Sequence, residues 1–406
     1  MRKINTRSFV RATRFTPREI NRKILLNLVR EHQPISRADL ARRMKVGRGM
    51  VTSLVDELLE QGALRDGSTV DVPRGRRPKM LYVRTHDRLA VAIDVRFSRT
   101  FLMLSDFSGT PLALESFDTI TDPRDIVVEL ANRIARLLRD HSALSRCEGI
   151  GLVVPGMIDR TTGRVLNSPQ LSWRDVDVRE ALEAATGIAV YIDNAPIACA
   201  LAQLWMGQRG DAGPGDFVYV TVGDGVGAAI VVNGEVVRGA ASTAGEFGHV
   251  PLSFDGPLCL CGSHGCLEAY TSNLATLSRY LGHKLSSTET RALLLSSGLT
   301  IEDVIARARS GDQRATTALE DTGRYLGIGL AGIVNAINPS QIFVGGEITS
   351  AWDLIDSVVH AEIRARALTK RAESTPVIPD PSSSFPRLRG ATALVSARMF
   401  AEQRLA

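Results

Sequence analysis

Apolar positions recur at helical spacing through the first sixty residues and at strand spacing after them. Beyond Pro17, residues Ile20, Ile24, Leu25, Leu28 and Val29 share one face of a predicted helix that Pro34 stops. Ser36 is suited to cap a second, short helix, with Asp39 three residues on and Leu40 and Met44 facing inward. A turn at Lys45-Val46-Gly47 leads to a third helix, in which Met50, Val51, Leu54, Val55, Leu58 and Leu59 keep the 3.6-residue period until Gly62. Ala63-Leu64-Arg65 and Met80-Leu81-Tyr82-Val83 then pair as strands around a polar loop holding Arg74, Arg76 and Arg77. Three helices followed by a two-stranded ribbon predict a winged helix-turn-helix over residues 17–85, preceded by a flexible basic arm at 1–16.

From about residue 86 the grammar changes. Leu89–Val95 reads as a buried strand, and Thr100–Ser105 and Pro111–Ser116 continue it as a meander. The same order returns at Phe217–Val222, Gly227–Val232 and Glu235–Arg238, the last pair joined by the Asn233-Gly234 turn. Two such openings, each followed by helical segments, predict a duplicated pair of α/β lobes around a cleft: residues 86–200, with a C-terminal helix at about 390–406, and residues 201–389. A single long sheet is the alternative.

Charge sharpens the division. Residues 1–85 hold 20 Lys and Arg against 8 Asp and Glu, a net +12, whereas residues 86–406 hold 29 against 36, a net −7. A basic head on an acidic body is the outline of a nucleic-acid-binding module joined to something else. The third helix would enter the major groove and offer Arg48, Thr52 and Ser53, while Arg74, Arg76 and Arg77 of the wing suit phosphates or a minor groove. A three-helix bundle without nucleic acid is the bland reading, and the turn, the charge and the wing together disfavour it. Mean hydropathy is +0.01 and no apolar run reaches the roughly 18–20 residues of a membrane span, so the expectation is a cytoplasmic protein.

Cysteine use adds chemistry. Three of the five cysteines fall between Cys259 and Cys266, which in a cytosolic protein favours metal over disulfides. With His249 they supply the four donors of a closed tetrahedral Zn²⁺ site, structural because all four are protein. His264 is a rival ligand within the knuckle. Cys147 and Cys199 read as buried core thiols.

Glu246-Phe247-Gly248-His249, followed by Cys259-x-Cys261-Gly262-x-x-Gly265-Cys266-Leu267-Glu268, resembles the signature of the ROK family (repressors, open reading frames and sugar kinases). Val154-Pro155-Gly156-Met157-Ile158-Asp159 and Phe343-Val344-Gly345-Gly346 resemble two further elements of that family. With the winged helix in front, the chain is similar to its repressor branch of xylose, glucose and N-acetylglucosamine regulators. The resemblance implies a two-lobed actin-like ATPase fold and a homodimer or homotetramer on two-fold-related operator DNA. It also implies sugar contacts from Asn194, Glu246, His249 and Glu268, with Gln170 where the family often has Asn. Paired carboxylates and an amide suit a polyol, since carboxylate oxygens accept from neighbouring hydroxyls. Bland roles also exist: Glu246 and Glu268 as supports of the metal loop, Asn194 as a helix cap.

The kinases of the family need phosphate loops rich in glycine and a catalytic Asp, and this chain departs from each. Asp94 is followed by Val95-Arg96-Phe97, the second loop reads Gly223-Asp224-Gly225, and Ala195 takes the catalytic Asp position. Without a base for the attacking hydroxyl or a cradle for the triphosphate, phosphoryl transfer lacks its machinery. The reading is therefore a sugar-responsive regulator with no catalytic residues. The alternatives are an active ROK kinase with an accessory DNA-binding domain and a regulator controlled by a protein partner.

Overall fold

The structure, a computed structural model, describes residues 16–69, 78–159, 161–207, 215–282, 292 and 297–400. It divides into two compact units. One comprises the chain up to Leu89 with Asp106–Thr110 and the end from Ser396; the other comprises Ala90–Ser105 and Pro111–Val395.

In the N-terminal unit, α1 (Thr16–His32), α2 (Arg37–Met44) and α3 (Arg48–Glu60) stand with a small sheet of β1 (Ile35–Ser36), β2 (Leu64–Thr69) and β3 (Lys79–Val83), in the order β1-β3-β2. Ser36 caps α2, its Oγ accepting from Asp39 N at 3.2 Å. Lys45 ends α2 in the left-handed region (φ 54°) and turns the chain into α3. Val51, Leu54, Val55 and Leu58 bury one face of α3 against Leu25, Leu26, Val29 and Leu40. Four positions expected on buried faces need correction. Ile20 and Ile24 lie exposed, because α1 buries the stripe centred on Leu25, Leu26 and Val29 rather than one running through Ile20, and Met50 lies exposed on α3, whose buried face runs through Val51, Leu54, Val55 and Leu58. Met44 is only half-buried. Residues 70–77, with Arg74, Arg76 and Arg77, lie outside the described residues.

The second unit holds two five-stranded sheets of matching order. β4 (Leu89–Val95), β5 (Arg99–Asp106), β6 (Pro111–Asp118), β7 (Cys147–Val153) and β11 (Val190–Asp193) run β6-β5-β4-β7-β11. β12 (Phe217–Val222), β13 (Val226–Val232), β14 (Glu235–Val237), β15 (Gln341–Gly345) and β16 (Val377–Pro379) run β14-β13-β12-β15-β16. In each, an antiparallel opening meander is extended by parallel strands, with β7–β11, β12–β15 and β15–β16 all parallel. The repeated grammar of the sequence is thus a duplicated sheet, not one long one. Within the first sheet's stretch of sequence, α4 (Pro123–Asp140) precedes β7, and a ribbon of β8 (Met157–Ile158), β9 (Val165–Ser168) and β10 (Trp173–Val176) with α5 (Val178–Thr186) separates β7 from β11; α6 (Ala195–Met206) then leads to the second sheet.

The second sheet is covered by α7 (Leu267–Thr271), α8 (Asn273–Leu281), α9 (Ile301–Arg309), α10 (Gln313–Ile337) and α11 (Trp352–Arg366), which bury Leu319, Leu326, Leu330, Ile355 and Val359 with Val218, Val220 and Val344. The first sheet receives α12 (Pro386–Phe400), whose Leu388, Ala391 and Leu394 pack with Ala92, Met103, Val153 and Ala198. The last residues of α12 belong to the N-terminal unit, where Lys23 Nζ donates to Met399 O at 2.8 Å and Asn27 Nδ2 to Phe400 O at 3.0 Å.

Candidate functional site

The metal loop is shaped by glycine. Gly248 follows Phe247 in a single 3-10 turn, and a Cβ there would lie 1.9 Å from Val226 O. Gly265 sits at φ +72°, where a Cβ would lie 1.8 Å from Ser253 O. Only a backbone without side chains folds this tightly, and it brings His249, Cys259, Cys261 and Cys266 together, their ligand atoms all within 4.8 Å of one another. Cys261 and Cys266 sulfurs are 3.7 Å apart, and Cys259 Sγ is 3.7 Å from His249 Nδ1. An ion bonded tetrahedrally at about 2.3 Å to sulfur and about 2.0 Å to nitrogen separates such pairs by about 3.8 and 3.5 Å. Two of the donor pairs thus already stand near the spacing of a tetrahedral site, and the group can hold a metal ion. Burial pushes the Cys266 thiol up to about 11 and Cys259 higher still, whereas hydrogen bonds at the surface lower Cys261. A divalent cation would supply the charge that lets all three ionise. His264 lies apart, its Nδ1 3.0 Å from Gly256 O.

The other ring nitrogen of His249 faces away from the sulfurs: Nε2 is 3.8 Å from Glu246 Oε2. It lines a cleft with Glu246, Glu268, Asn194 and Gln170, so all five residues expected to contact sugar converge there. Glu268 is buried in the first turn of α7, with Oε2 accepting from Val226 N at 2.9 Å and Oε1 3.4 Å from Cys259 Sγ. It thus both lines the cleft and braces the metal loop. Asn194 caps α6, its Oδ1 accepting from Ile197 N at 3.2 Å, which leaves its Nδ2 donors to the cleft. Burial raises the Glu246 carboxyl above its ordinary range, with Glu268 adding to the shift and His249 opposing it.

The deeper part of the cleft is ionic, and its pairing was not foreseen from the sequence. Asp94, fully buried at the end of β4, pairs with Arg96 Nε at 2.7 Å, and Arg387 Nε stands 3.0 Å from its other oxygen, in ion-pair rather than hydrogen-bond geometry. Arg96 reaches from the first sheet to Glu347, after β15, at 2.6 Å. Asn273 Nδ2 bridges Glu347 Oε2 at 3.3 Å and Asp224 Oδ1 at 3.4 Å. Burial would lower Arg96, but Asp94 and Glu347 outweigh it and hold the guanidinium firmly charged; burial and then Glu347 raise Asp224. Asp193, a conceivable stand-in for the catalytic carboxylate, is taken by Arg238 Nη2 at 2.5 Å. Glu347 carried a faint signal, following Gly345-Gly346; Arg387 and Arg238 carried none.

On α3, Arg48, Thr52 and Ser53 are exposed. Thr52 Oγ1 bonds back to Arg48 O at 3.0 Å, and Ser53 Oγ accepts from Arg18 Nη2 of α1 at 2.9 Å. Arg48 and Thr52 share the outward face; Ser53 lies on the flank nearer α1. Among the described residues no helix is long and apolar enough to cross a membrane.

Comparison with known proteins completes the picture. A xylose repressor of Caldicellulosiruptor bescii is 29% identical over 86% of this chain and 88% of its own. The DNA-binding transcriptional dual regulator NagC of Escherichia coli K12 is 27% identical over 89% and 88%. Among solved structures, a ROK family transcriptional regulator, homologous to the Escherichia coli MLC protein, is similar with a TM-score of 0.76 and 25% identity over 95% of this chain and 97% of its own. A ROK family glucokinase from Streptomyces griseus, solved with glucose and AMPPNP, reaches a TM-score of 0.65 at 25% identity and spans 99% of itself but only 76% of this chain. The two duplicated lobes are those of the actin-like ATPase fold. Residues 90–398 match the ROK family, and the chain belongs to it.

Proposed function

We propose that this protein is a sugar-responsive transcriptional regulator, a repressor of carbohydrate genes, in which a sugar in the cleft changes the affinity of the N-terminal unit for operator DNA. The observation that carries the reading is one cleft in which Asn194, Gln170, Glu246, His249 and Glu268 converge while Ala195 stands where phosphoryl transfer needs a carboxylate. Hydroxyls can be read there, and the carboxylate that would activate one is replaced by Ala195. The winged helix, residues 17–85, binds DNA through Arg48 and Thr52, with Ser53 at the edge of the contact and Arg74, Arg76 and Arg77 of the wing on the backbone. A xylose repressor and an N-acetylglucosamine repressor among the relatives support the pairing of a sugar with transcriptional control. A homodimer or homotetramer would present paired recognition helices to a two-fold-related site.

His249, Cys259, Cys261 and Cys266 hold a structural Zn²⁺. The ion ties the loop that aims His249 Nε2 and Glu246 at the sugar, so metal and ligand binding share one support. The test joins three measurements on one preparation: metal content, thermal shift against a monosaccharide panel, and ATP consumption with the same sugars. One zinc per chain, stabilisation by at least one sugar and no sugar-dependent ATP turnover are expected. Turnover abolished by Asp193→Ala would replace this reading with that of a kinase.

A further inference from the structure

We infer that the cleft selects an uncharged sugar and rejects the phosphate ester of the same sugar, because its phosphate compartment is already filled by an internal ion-pair network. The inference rests on the reading of the cleft as a sugar site and adds the charge of the ligand. Two arginines line the cleft, and both are already matched: Arg96 with Asp94 at 2.7 Å and Glu347 at 2.6 Å, Arg387 with Asp94 at 3.0 Å. Against these two guanidiniums stand five carboxylates in or beneath the same cleft: Asp94, Asp224, Glu246, Glu268 and Glu347. An entering phosphate would meet Asp224 and Glu347 before any cation without a carboxylate beside it. To take Arg96 Nη1 it must displace Glu347 and leave that carboxylate without a cation, held among the described residues only by Asn273 Nδ2.

Three backbone positions where a phosphate would seek donors offer none. The first turn of α6 lines the cleft, but Pro196 has no N–H and the N–H of Ile197 is taken by Asn194 Oδ1. Gly223 N, in the loop where a phosphate would be cradled, is taken by Gly225 O at 3.0 Å. A neutral polyol meets the opposite situation. Its hydroxyls donate to carboxylates and accept from Asn194 Nδ2, and nothing in the network has to break. The ionic lattice thus serves as a filter against the esters that intracellular sugar phosphorylation produces.

The experiment titrates full-length protein with D-xylose, D-glucose and N-acetyl-D-glucosamine, and with the 6-phosphates of the last two, by calorimetry. Inorganic phosphate and pyrophosphate are titrated in parallel at ionic strength held constant with chloride. In the wild type the better bound of glucose and N-acetylglucosamine should bind at least ~10-fold more tightly than its 6-phosphate, and inorganic phosphate should not bind. Glu347→Gln, which removes one of the two carboxylates that match Arg96 at unchanged side-chain volume, should narrow the gap and gain pyrophosphate affinity; Asp224→Asn is the second variant if Glu347→Gln fails to fold. An ester binding as tightly as its sugar to the wild type overturns the inference while leaving the sugar reading intact. So does a folded variant, shown by retained neutral-sugar affinity, that leaves the gap unchanged. If no sugar or ester binds, the sugar reading itself falls, and wild-type binding of inorganic phosphate or pyrophosphate still refutes the filter.

Discussion

At the scale of single residues, the cleft is a place where carboxylates are kept at a cost. Asp224 is the plainest case, since burial and the neighbouring Glu347 both raise its pKa while Asn273 and the arginines only partly offset them. A carboxyl whose folded pKa lies above its unfolded value of about 3.9 withdraws stability as pH rises from that value through the folded one, and the loss persists above it. Asp224→Asn should therefore stabilise the unliganded protein against urea at pH 7.5, and by less at pH 4.5. A variant less stable than wild type at pH 7.5 would mean that Asp224 is held charged by the arginines and contributes to the network instead. Glu246 is raised in the same sense, which suits a group whose charge is needed only when hydroxyls arrive to donate to it.

At the scale of elements, α6 carries two roles on one residue. Asn194 Oδ1 is the cap and Nδ2 faces the cleft, so substitutions can separate them. Asn194→Ser retains a capping oxygen and loses the amide donors; it should change stability by only a few tenths of a kcal/mol while losing sugar affinity. Asn194→Ala should lose about 1 kcal/mol as well. Full sugar affinity in Asn194→Ser would reduce Asn194 to a cap. Elements also set what the sequence could disclose. The meanders β4–β6 and β12–β14 were legible because strand alternation and turns such as Asn233-Gly234 are local. The metal group was legible because Cys259, Cys261 and Cys266 lie within one loop and His249 close before it. On α1 the period was legible but its phase was not: Ile20 and Ile24 keep helical spacing yet stay exposed, since what α1 packs against decides which stripe is buried. The ionic network was not legible at all. Arg96 and Glu347 are 251 positions apart, and Arg387 meets Asp94 only because α12 returns to the first sheet. Pairings of that kind are decided by topology, which no local pattern encodes.

At the scale of the whole molecule, the proposed function joins a DNA-reading unit to a cleft that would bind a sugar without phosphorylating it. Regulation then requires that the sugar distinguish two states of the protein, since a ligand shifts an equilibrium only by its differential affinity. Closure of the two lobes around the sugar is the change we propose, and the cross-cleft pairs Arg96–Glu347 and Arg238–Asp193 are the contacts it would load. Coupling of this kind amounts to about 1–3 kcal/mol, or about 5–150-fold in operator affinity, and it is reciprocal. The direct measurement is a pair of titrations with the best neutral sugar, one into free protein and one into protein saturated with an operator selected from a random pool. The account predicts that operator changes sugar affinity by the same factor, and in the same sense, as sugar changes operator affinity. Equal sugar affinity with and without DNA would contradict it, however tightly the sugar binds.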